Sequence, residues 1–327
     1  MCLGKIVSII NWKGGVGKTT ITHHLATGLQ DISLNELKKY IPVDSHPKVL
    51  IIDTDPQCNL SISCLGYNTF EKKVYTDKIK TMKELIRTSL NSNKSTINIA
   101  DFILKKSVKS SVGHVYTFVD LIPSHSDLIY IDMEIAKHNK ITTGANSLVA
   151  GNNNDIYKFK ILHDILENIK YDYDFIFIDC PPNLNYITQN ALFESDYYLI
   201  PTIPDRLSSY GILSITNKVN DLNKDFLKYD PDYIETKLAG IVLNNVREYR
   251  LRPKATQLNI ISALVERFPN DLYKNHLTYG DGIVKASALG YPVFSLDGKN
   301  ANATKQSSLI KEIIKEFLTK IMEDGTK

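Results

Sequence analysis

The stretch Lys13-Gly14-Gly15-Val16-Gly17-Lys18-Thr19-Thr20 decides how this chain is read, because of what flanks it. Ahead of it lies a β-branched run, Lys5 to Ile10, and behind it a periodic segment, Lys18 to Gln30, that predicts a helix. A glycine turn between strand and helix is a phosphate cradle. Without Cβ atoms in the way, backbone N–H groups converge on phosphate oxygens, and the helix N-terminus adds its dipole. Lys18 supplies charge, and the Thr19 hydroxyl can coordinate magnesium. The expected ligand is a nucleotide β/γ-phosphate, held by Gly14, Gly15, Val16, Gly17, Lys18, Thr19 and Thr20.

Outward from the loop, short β-branched runs alternate with longer periodic segments, which predicts an α/β fold: a mostly parallel twisted sheet with helices on both faces. Candidate strands are Lys5 to Ile10, Lys48 to Asp53, Tyr116 to Ile122, Asp174 to Asp179, Tyr197 to Pro201 and Lys237 to Leu243. Runs such as Val49-Leu50-Ile51-Ile52 and Phe175-Ile176-Phe177-Ile178 are apolar throughout, as expected of strands covered on both faces. Helices are expected at Lys18 to Gln30, Ser126 to His138, Ile156 to Ile169, Leu207 to Leu227, Thr256 to Arg267 and Ser307 to Met322. The 327 residues are read as one domain, 1–327, with insertions at about 31–47 and 66–115 and a mobile loop at about 139–155.

Composition excludes several classes. With 43% hydrophobic and 23% charged residues the chain is neither collagen-like nor wholly disordered. No apolar run approaches the ~18 residues that cross a bilayer, and the N-terminus reaches the glycine loop too soon for a secretory segment, so a cytoplasmic protein is expected. Cys2, Cys58, Cys64 and Cys180 form no C-x-x-C pair and are read as reduced thiols. Net charge is only +3, yet Glu71 to Ser110 carries ten Lys/Arg against four Asp/Glu, a local basic surface.

Two acidic motifs end apolar strands, Asp53-Thr54-Asp55-Pro56-Gln57 and Asp179-Cys180-Pro181-Pro182, placing three carboxylates at the sheet's carboxyl edge beside the loop. The common pattern G-x-x-x-x-G-K-[ST] needs glycine at position 12, where Trp12 stands, and an extra lysine, Lys13, precedes the double glycine. With these residues the sequence resembles the ParA/MinD family of deviant Walker P-loop ATPases, closest to ParA (Soj-like) partition ATPases. The resemblance implies ATP and Mg2+ as cofactors, Asp179 contacting the metal through water, Asp53 and Thr19 helping to hold it, and Asp55 orienting the attacking water. It implies that Lys18 and Lys13 are catalytic, Lys13 by reaching the nucleotide of a partner subunit, in a homodimer that forms with ATP and opens on hydrolysis.

Further matches extend along most of the chain. Ile200-Pro201-Thr202-Ile203-Pro204 with Ser208-Ser209-Tyr210-Gly211 is similar to the family's strand and loop after the Asp179 motif. Ala286 to Val293 is similar to its adenine-closing segment, which makes Asn244 and Pro292 candidate adenine contacts. The ParA branch implies non-specific DNA binding, nucleoid association and a ParB-type centromere-binding partner. Arg247, Arg250, Arg252 and Lys254, four cations within eight residues, are the candidate DNA contacts. The family's second basic element is not reproduced: Thr278-Tyr279-Gly280-Asp281-Gly282 stands there, and the basic insertion is the other candidate face. No extension precedes the first strand, so the chain is not expected to read a DNA sequence by itself. Two alternatives share the loop: a positioning ATPase for a protein cargo, and MinD-like membrane cycling through the terminal amphipathic helix. That helix carries Glu as often as Lys on its polar face, which favours packing in the core over stable membrane association.

Overall fold

The computed structural model describes residues 3–91, 97–138, 155–250 and 252–324. Apart from Asp155, the loop expected at about 139–155 lies outside the described residues. Six strands form the main sheet: β1 Lys5–Ile9, β2 Val49–Asp53, β3 Val119–Ile122, β4 Phe175–Asp179, β5 Tyr197–Thr202 and β6 Lys237–Leu243. Their order is β3-β2-β4-β1-β5-β6, and every pairing is parallel. Strand β1 therefore has β4 on one side and β5 on the other. The order reverses there, and the crevice beyond its carboxyl end is where such sheets bind ligands.

Alternation along each strand sends side chains to two cores. Ile6, Leu50, Ile52, Ile176 and Ile178 join one buried cluster, while Val7, Ile9, Val49, Ile51, Phe175 and Phe177 join the other. Around them pack helices α1 Lys18–Asp31, α2 Asn59–Leu65, α3 Met82–Asn91, α4 Tyr186–Glu194, α5 Arg206–Tyr229, α6 Ala255–Arg267, α7 Asp281–Ala288 and α8 Ala301–Asp324, with shorter turns between. The sheet is thus covered on both faces, as the uninterrupted apolar strands imply.

The terminal helix α8 begins six residues earlier than the pattern suggests, because Asn300 Oδ1 accepts from Ala303 N at 3.0 Å and caps it. Its stripe of Ile310, Ile313, Ile314, Phe317, Leu318 and Ile321 is buried. Phe317 lies 6.2 and 5.9 Å from the rings of Phe175 and Phe177, so the stripe that could have lain on a lipid surface is committed to the core. No helix among the described residues is long and apolar enough to cross a membrane.

Two expectations need correction. The helix expected at Ile156 to Ile169 is a 3-10 turn, Ile156–Lys158, followed by a helix over Ile161–Leu166. Asn190 on α4 causes the break: its Oδ1 accepts from Ile161 N and Leu162 N while its Nδ2 donates to Lys158 O at 2.6 Å, replacing helical partners. The strand expected at Tyr116 to Ile122 is shortened to Val119–Ile122, because the preceding residues fold into a separate antiparallel ribbon, Lys109–Ser111 with His114–Val115, around Gly113 at φ 74°. The insertion at about 66–115 contributes to the core: Met82, Leu85 and Ile86 of α3, with Phe70 and Phe102, are buried.

Candidate nucleotide cleft and basic ribbon

Strand β1 ends at Ile9, and the chain turns through the glycine loop into α1. The turn needs left-handed backbone at Gly15 (φ 74°) and Gly17 (φ 97°), which glycine adopts without strain. A Cβ on Gly14 or Gly15 would meet nothing within 4 Å, so these residues face open space, whereas one on Gly17 would fall 1.9 Å from Asn244 Nδ2. The loop is open towards a ligand and closed towards Asn244. Gly14, Gly15, Gly17, Lys18, Thr19 and Thr20 line a cleft of about 480 Å³, a size that holds a small ligand. Val16, fully buried, sets the loop from beneath.

Lys18 Nζ donates to Asn11 O at 3.1 Å and, more weakly, to Lys13 O at 3.4 Å. Burial lowers its pKa, and the nearby charges of Asp179 and Asp55 oppose that. Thr19 Oγ1 donates to Asp179 Oδ2 at 2.6 Å. Asp53 and Asp179 are cross-strand partners at the ends of β2 and β4. Asp53 is fully enclosed: Ser61 N and Ser61 Oγ both donate to its Oδ2, and Asp55 N to its Oδ1. Burial pushes the Asp53 carboxyl up to about 7, and burial together with the Asp53 charge pushes Asp179 well above the carboxylate range. Asp55, also raised by burial, is the one of the three that lines the cleft.

Two buried carboxylates side by side, with a hydroxyl aimed at one of them, are a donor set that fits a small divalent cation. No group of three or more His, Cys, Asp or Glu among the described residues makes a complete metal cage. Magnesium does not need one, since it takes one or two protein ligands and completes its shell with water and phosphate oxygens.

The structure separates the other expected site residues. Asn244, at the end of β6, lines the cleft, but its Nδ2 donates to Val16 O at 2.9 Å and its Oδ1 accepts from Asn245 N. Pro292 is buried and does not line the cleft. Lys13 points away from it: Nζ pairs with Asp205 Oδ2 at 2.7 Å and donates to Ser208 Oγ at 3.1 Å. Asp205 also caps α5, accepting from Ser208 N at 2.8 Å. The Lys13 side chain remains 40% exposed, beside the strongly exposed apolar side chains Leu207 (80%) and Tyr210 (76%).

The expected adenine-closing segment, Ala286 to Val293, reaches the cleft through Ser287, but sequence reasoning missed the rest of the far wall, Gly280, Ile283 and Val284 around α7 and Gln306 of α8. Only eight residues long and half exposed, α7 carries no clear apolar stripe. His24, buried on α1, joins the loop helix to the segment after α7. Val293 N donates to His24 Nε2 at 3.0 Å, so Nδ1 carries the proton and donates to Thr20 O at 2.7 Å. The signal that could have found Asp205 was present in Asp205-x-x-Ser208, a helix-capping spacing.

The four expected DNA contacts do come together. After β6 a short antiparallel ribbon pairs Glu248–Tyr249 with Arg252–Pro253, and Arg247, Arg250, Arg252 and Lys254 are all exposed on or beside it. The Arg250 guanidinium lies 5.3 Å from the Tyr249 ring centre, and that of Arg247 lies 5.4 Å from Tyr279.

Comparison with known proteins agrees with this geometry. A family model described as an AAA domain (AAA_31) matches residues 4–230. An uncharacterized protein of Methanocaldococcus jannaschii, MJECL24, is 28% identical over 94% of this chain and 98% of its own length. The sporulation initiation inhibitor protein Soj of Bacillus subtilis is 25% identical over 95% of this chain and 98% of its own. Among solved structures, the ATP complex of a substituted McdA from Cyanothece superposes with a TM-score of 0.70 at 19% identity, covering 97% of both chains, a likeness of fold. With its glycine loop at the reversal point of a parallel sheet and a family match across more than half of its length, the chain belongs to the AAA_31 family and is a P-loop ATPase of the ParA/MinD type.

Proposed function

We propose that this protein is a ParA-type partition ATPase: it forms an ATP-sandwich homodimer, binds DNA non-specifically on the nucleoid, and hydrolyses ATP under the influence of a ParB-type partner. The observation that carries the reading is the division of labour between its two loop lysines. Lys18 lines its own cleft, while Lys13 stands outside it, partly exposed on an apolar surface, where a second copy could receive it.

In this reading Lys18 exchanges its backbone carbonyl partners for the β/γ-phosphate oxygens, and the N–H groups of Gly14 to Thr20 hold the phosphate chain. Thr19 and Asp179, with Asp53 behind them, would hold Mg2+, which when bound neutralises charge on the phosphates. Asp55 faces the cleft, and its raised pKa suits it to accept a hydrogen bond from, and orient, an attacking water. Lys13 leaves Asp205 and supplies positive charge to the partner's transferring phosphoryl group. An arginine placed in that role is worth ~10³–10⁵ in rate. Asn244 braces the loop from below, and base contacts fall to the wall formed by Asn245, Gly280 and α7.

Sedimentation with a non-hydrolysable ATP analogue and with ADP tests the reading. A dimer is expected with the analogue and a monomer with ADP, and Lys13→Ala should remove the dimer, turnover or both. An unchanged dimer with full turnover in Lys13→Ala would overturn it. DNA attachment is read in a salt series, where contacts dominated by phosphate weaken steeply and differ little among sequences.

A further inference from the structure

Glu248 is an acidic residue at the centre of the basic ribbon, and its carboxylate is only 14% exposed. It is held from two other elements. His276 Nε2 lies 2.9 Å from its Oε1, and Lys305 of α8 pairs with its Oε2. Burial pushes the Glu248 carboxyl up, but the hydrogen bonds from Lys305 and His276 together outweigh it and hold the carboxyl below its usual range.

The next residue on α8 reaches elsewhere. Consecutive helical residues diverge by about 100°, so Lys305 and Gln306 face different neighbours. Gln306 Nε2 donates to Thr278 O at 2.9 Å, and its Oε1 accepts from Ile283 N at 2.9 Å. Gln306, Gly280 and Ile283 are all walls of the nucleotide cleft. Between the two lies Tyr279, whose N–H donates to Val246 O at 2.8 Å and whose ring carries the Arg247 guanidinium. One turn of α8 therefore grips the ribbon with one side chain and the cleft wall with its neighbour.

We propose that Glu248 and Gln306 are positioning residues that fix the basic ribbon to the far wall of the nucleotide cleft, so that the ribbon's stance follows what the cleft holds. The inference rests on the reading of the ribbon as the DNA-contacting surface. Its physical content is that a shift of α7 against a bound nucleotide moves Gln306, and through Lys305 and Tyr279 moves Glu248 and Arg247. Glu248 contributes nothing attractive to DNA: a carboxylate among four cations weakens phosphate attraction, and its role is to hold geometry.

The test compares wild type, Glu248→Gln, Gln306→Ala and Arg252→Ala in two measurements. Hydrogen exchange at the amides of residues 246–250, Arg252 and Lys254, with and without the non-hydrolysable ATP analogue, needs no DNA. Nucleotide-dependent protection is expected in wild type and in Arg252→Ala, and its loss in Glu248→Gln and Gln306→Ala, while Glu248→Gln binds a fluorescent ATP analogue within about twofold of wild type. Binding of a mixed-sequence DNA duplex is then compared between the analogue and ADP states. The ratio of the two affinities should collapse towards one in Glu248→Gln, with the ADP-state affinity raised by the lost negative charge. In Arg252→Ala both affinities should fall together and leave the ratio in place. Retained protection in both Glu248→Gln and Gln306→Ala overturns the coupling. Protection that behaves as expected in a protein that binds no DNA in any state overturns the DNA reading and leaves the coupling standing.

Discussion

The two ends of the nucleotide cleft are built in opposite ways. The phosphate end comes from a continuous stretch, Gly14 to Thr20, whose donors are backbone N–H groups and whose cation already points inward. The far end comes from Gly280, α7 and Gln306, pieces far apart in the chain and joined through side-chain hydrogen bonds, and Asn244 at the end of β6 ties that side of the cleft to Val16 O of the loop. An end fixed by its own backbone holds its geometry before a ligand arrives. An end assembled from distant pieces can shift without unfolding, and so can report on occupancy. Damage to the first should therefore appear in rate, and damage to the second in affinity and communication.

The sharpest way to break that contrast is to compare Lys18→Ala with Asn244→Ala. Removing Lys18 deletes the charge that meets the phosphates, and turnover should fall on the order of 10³-fold, as when one preorganised donor is lost from a transition-state cradle. Removing Asn244 leaves every phosphate donor in place but frees Val16 O, so nucleotide affinity should weaken several-fold with turnover at saturation within about threefold. Steady-state kinetics across an ATP titration separates the two. A Lys18→Ala enzyme that kept its turnover, or an Asn244→Ala enzyme as slow as Lys18→Ala, would erase the distinction.

The same contrast explains what the sequence discloses. The phosphate end is legible because its chemistry depends on residues adjacent in the chain. Glycines at positive φ, then a lysine and a hydroxyl on a helix N-terminus, leave a fixed spacing whatever the rest of the fold does. Asp53 and Asp179 are legible for a related reason, since each closes an apolar strand and parallel strands bring their ends to one edge, with Asp55 two residues beyond the first. The far wall follows no such rule. Gln306 is one polar residue on a long helix, and nothing in its neighbourhood marks it as the one that bonds Thr278 and Ile283. Pro292 illustrates the opposite failure: a loop proline expected to contact the base is buried and does not line the cleft. Asn190, which divides an expected helix, acts through hydrogen bonds to residues about thirty positions away, beyond any local pattern.

Acid offers a second way to probe the join between the two ends. His24 ties Thr20 on the loop helix to Val293 beyond α7, and burial pushes its imidazole down to about 4; burial likewise holds its neighbour His23 well below the ordinary range. A histidine depressed in the folded state takes its proton more readily when unfolded. Its stabilising contribution is therefore complete above the ordinary value near 6.5 and is lost as pH falls towards 4. For His24 the full span is worth about 3 kcal/mol, of which about 2 kcal/mol is gone by pH 5. Asp53 and Asp179, raised by burial, act in the opposite sense and add stability as pH falls over the same range, so the histidine share is read as a difference between variant and wild type. The urea midpoint of His24→Gln, which keeps hydrogen-bonding atoms but cannot take a charge, should therefore rise relative to that of wild type as pH falls from 7 to 5, by the equivalent of about 2 kcal/mol. A gap between the two midpoints that stays constant over this range would mean that the bridge is not held in its neutral form.

The smallest effect belongs to the pair that keeps Lys13 out of its own cleft. Lys13 and Asp205 are each exposed by more than a third, so their attraction is screened, and such pairs contribute ~0.2–1 kcal/mol. That is a factor of about 1.4 to 5 in any equilibrium that must break the contact. If Lys13 has to leave Asp205 to serve a second subunit, Asp205→Asn should tighten dimerisation with the ATP analogue by that factor. Asparagine keeps a side-chain oxygen for the Ser208 N–H, so α5 retains its cap and the folded state is little affected. Sedimentation across a concentration series resolves a change of this size. Weaker dimerisation in Asp205→Asn would reverse the assignment, because Asp205 would then be helping Lys13 across the interface instead of restraining it, and the lysine's exposure beside Leu207 and Tyr210 would mark a prearranged contact.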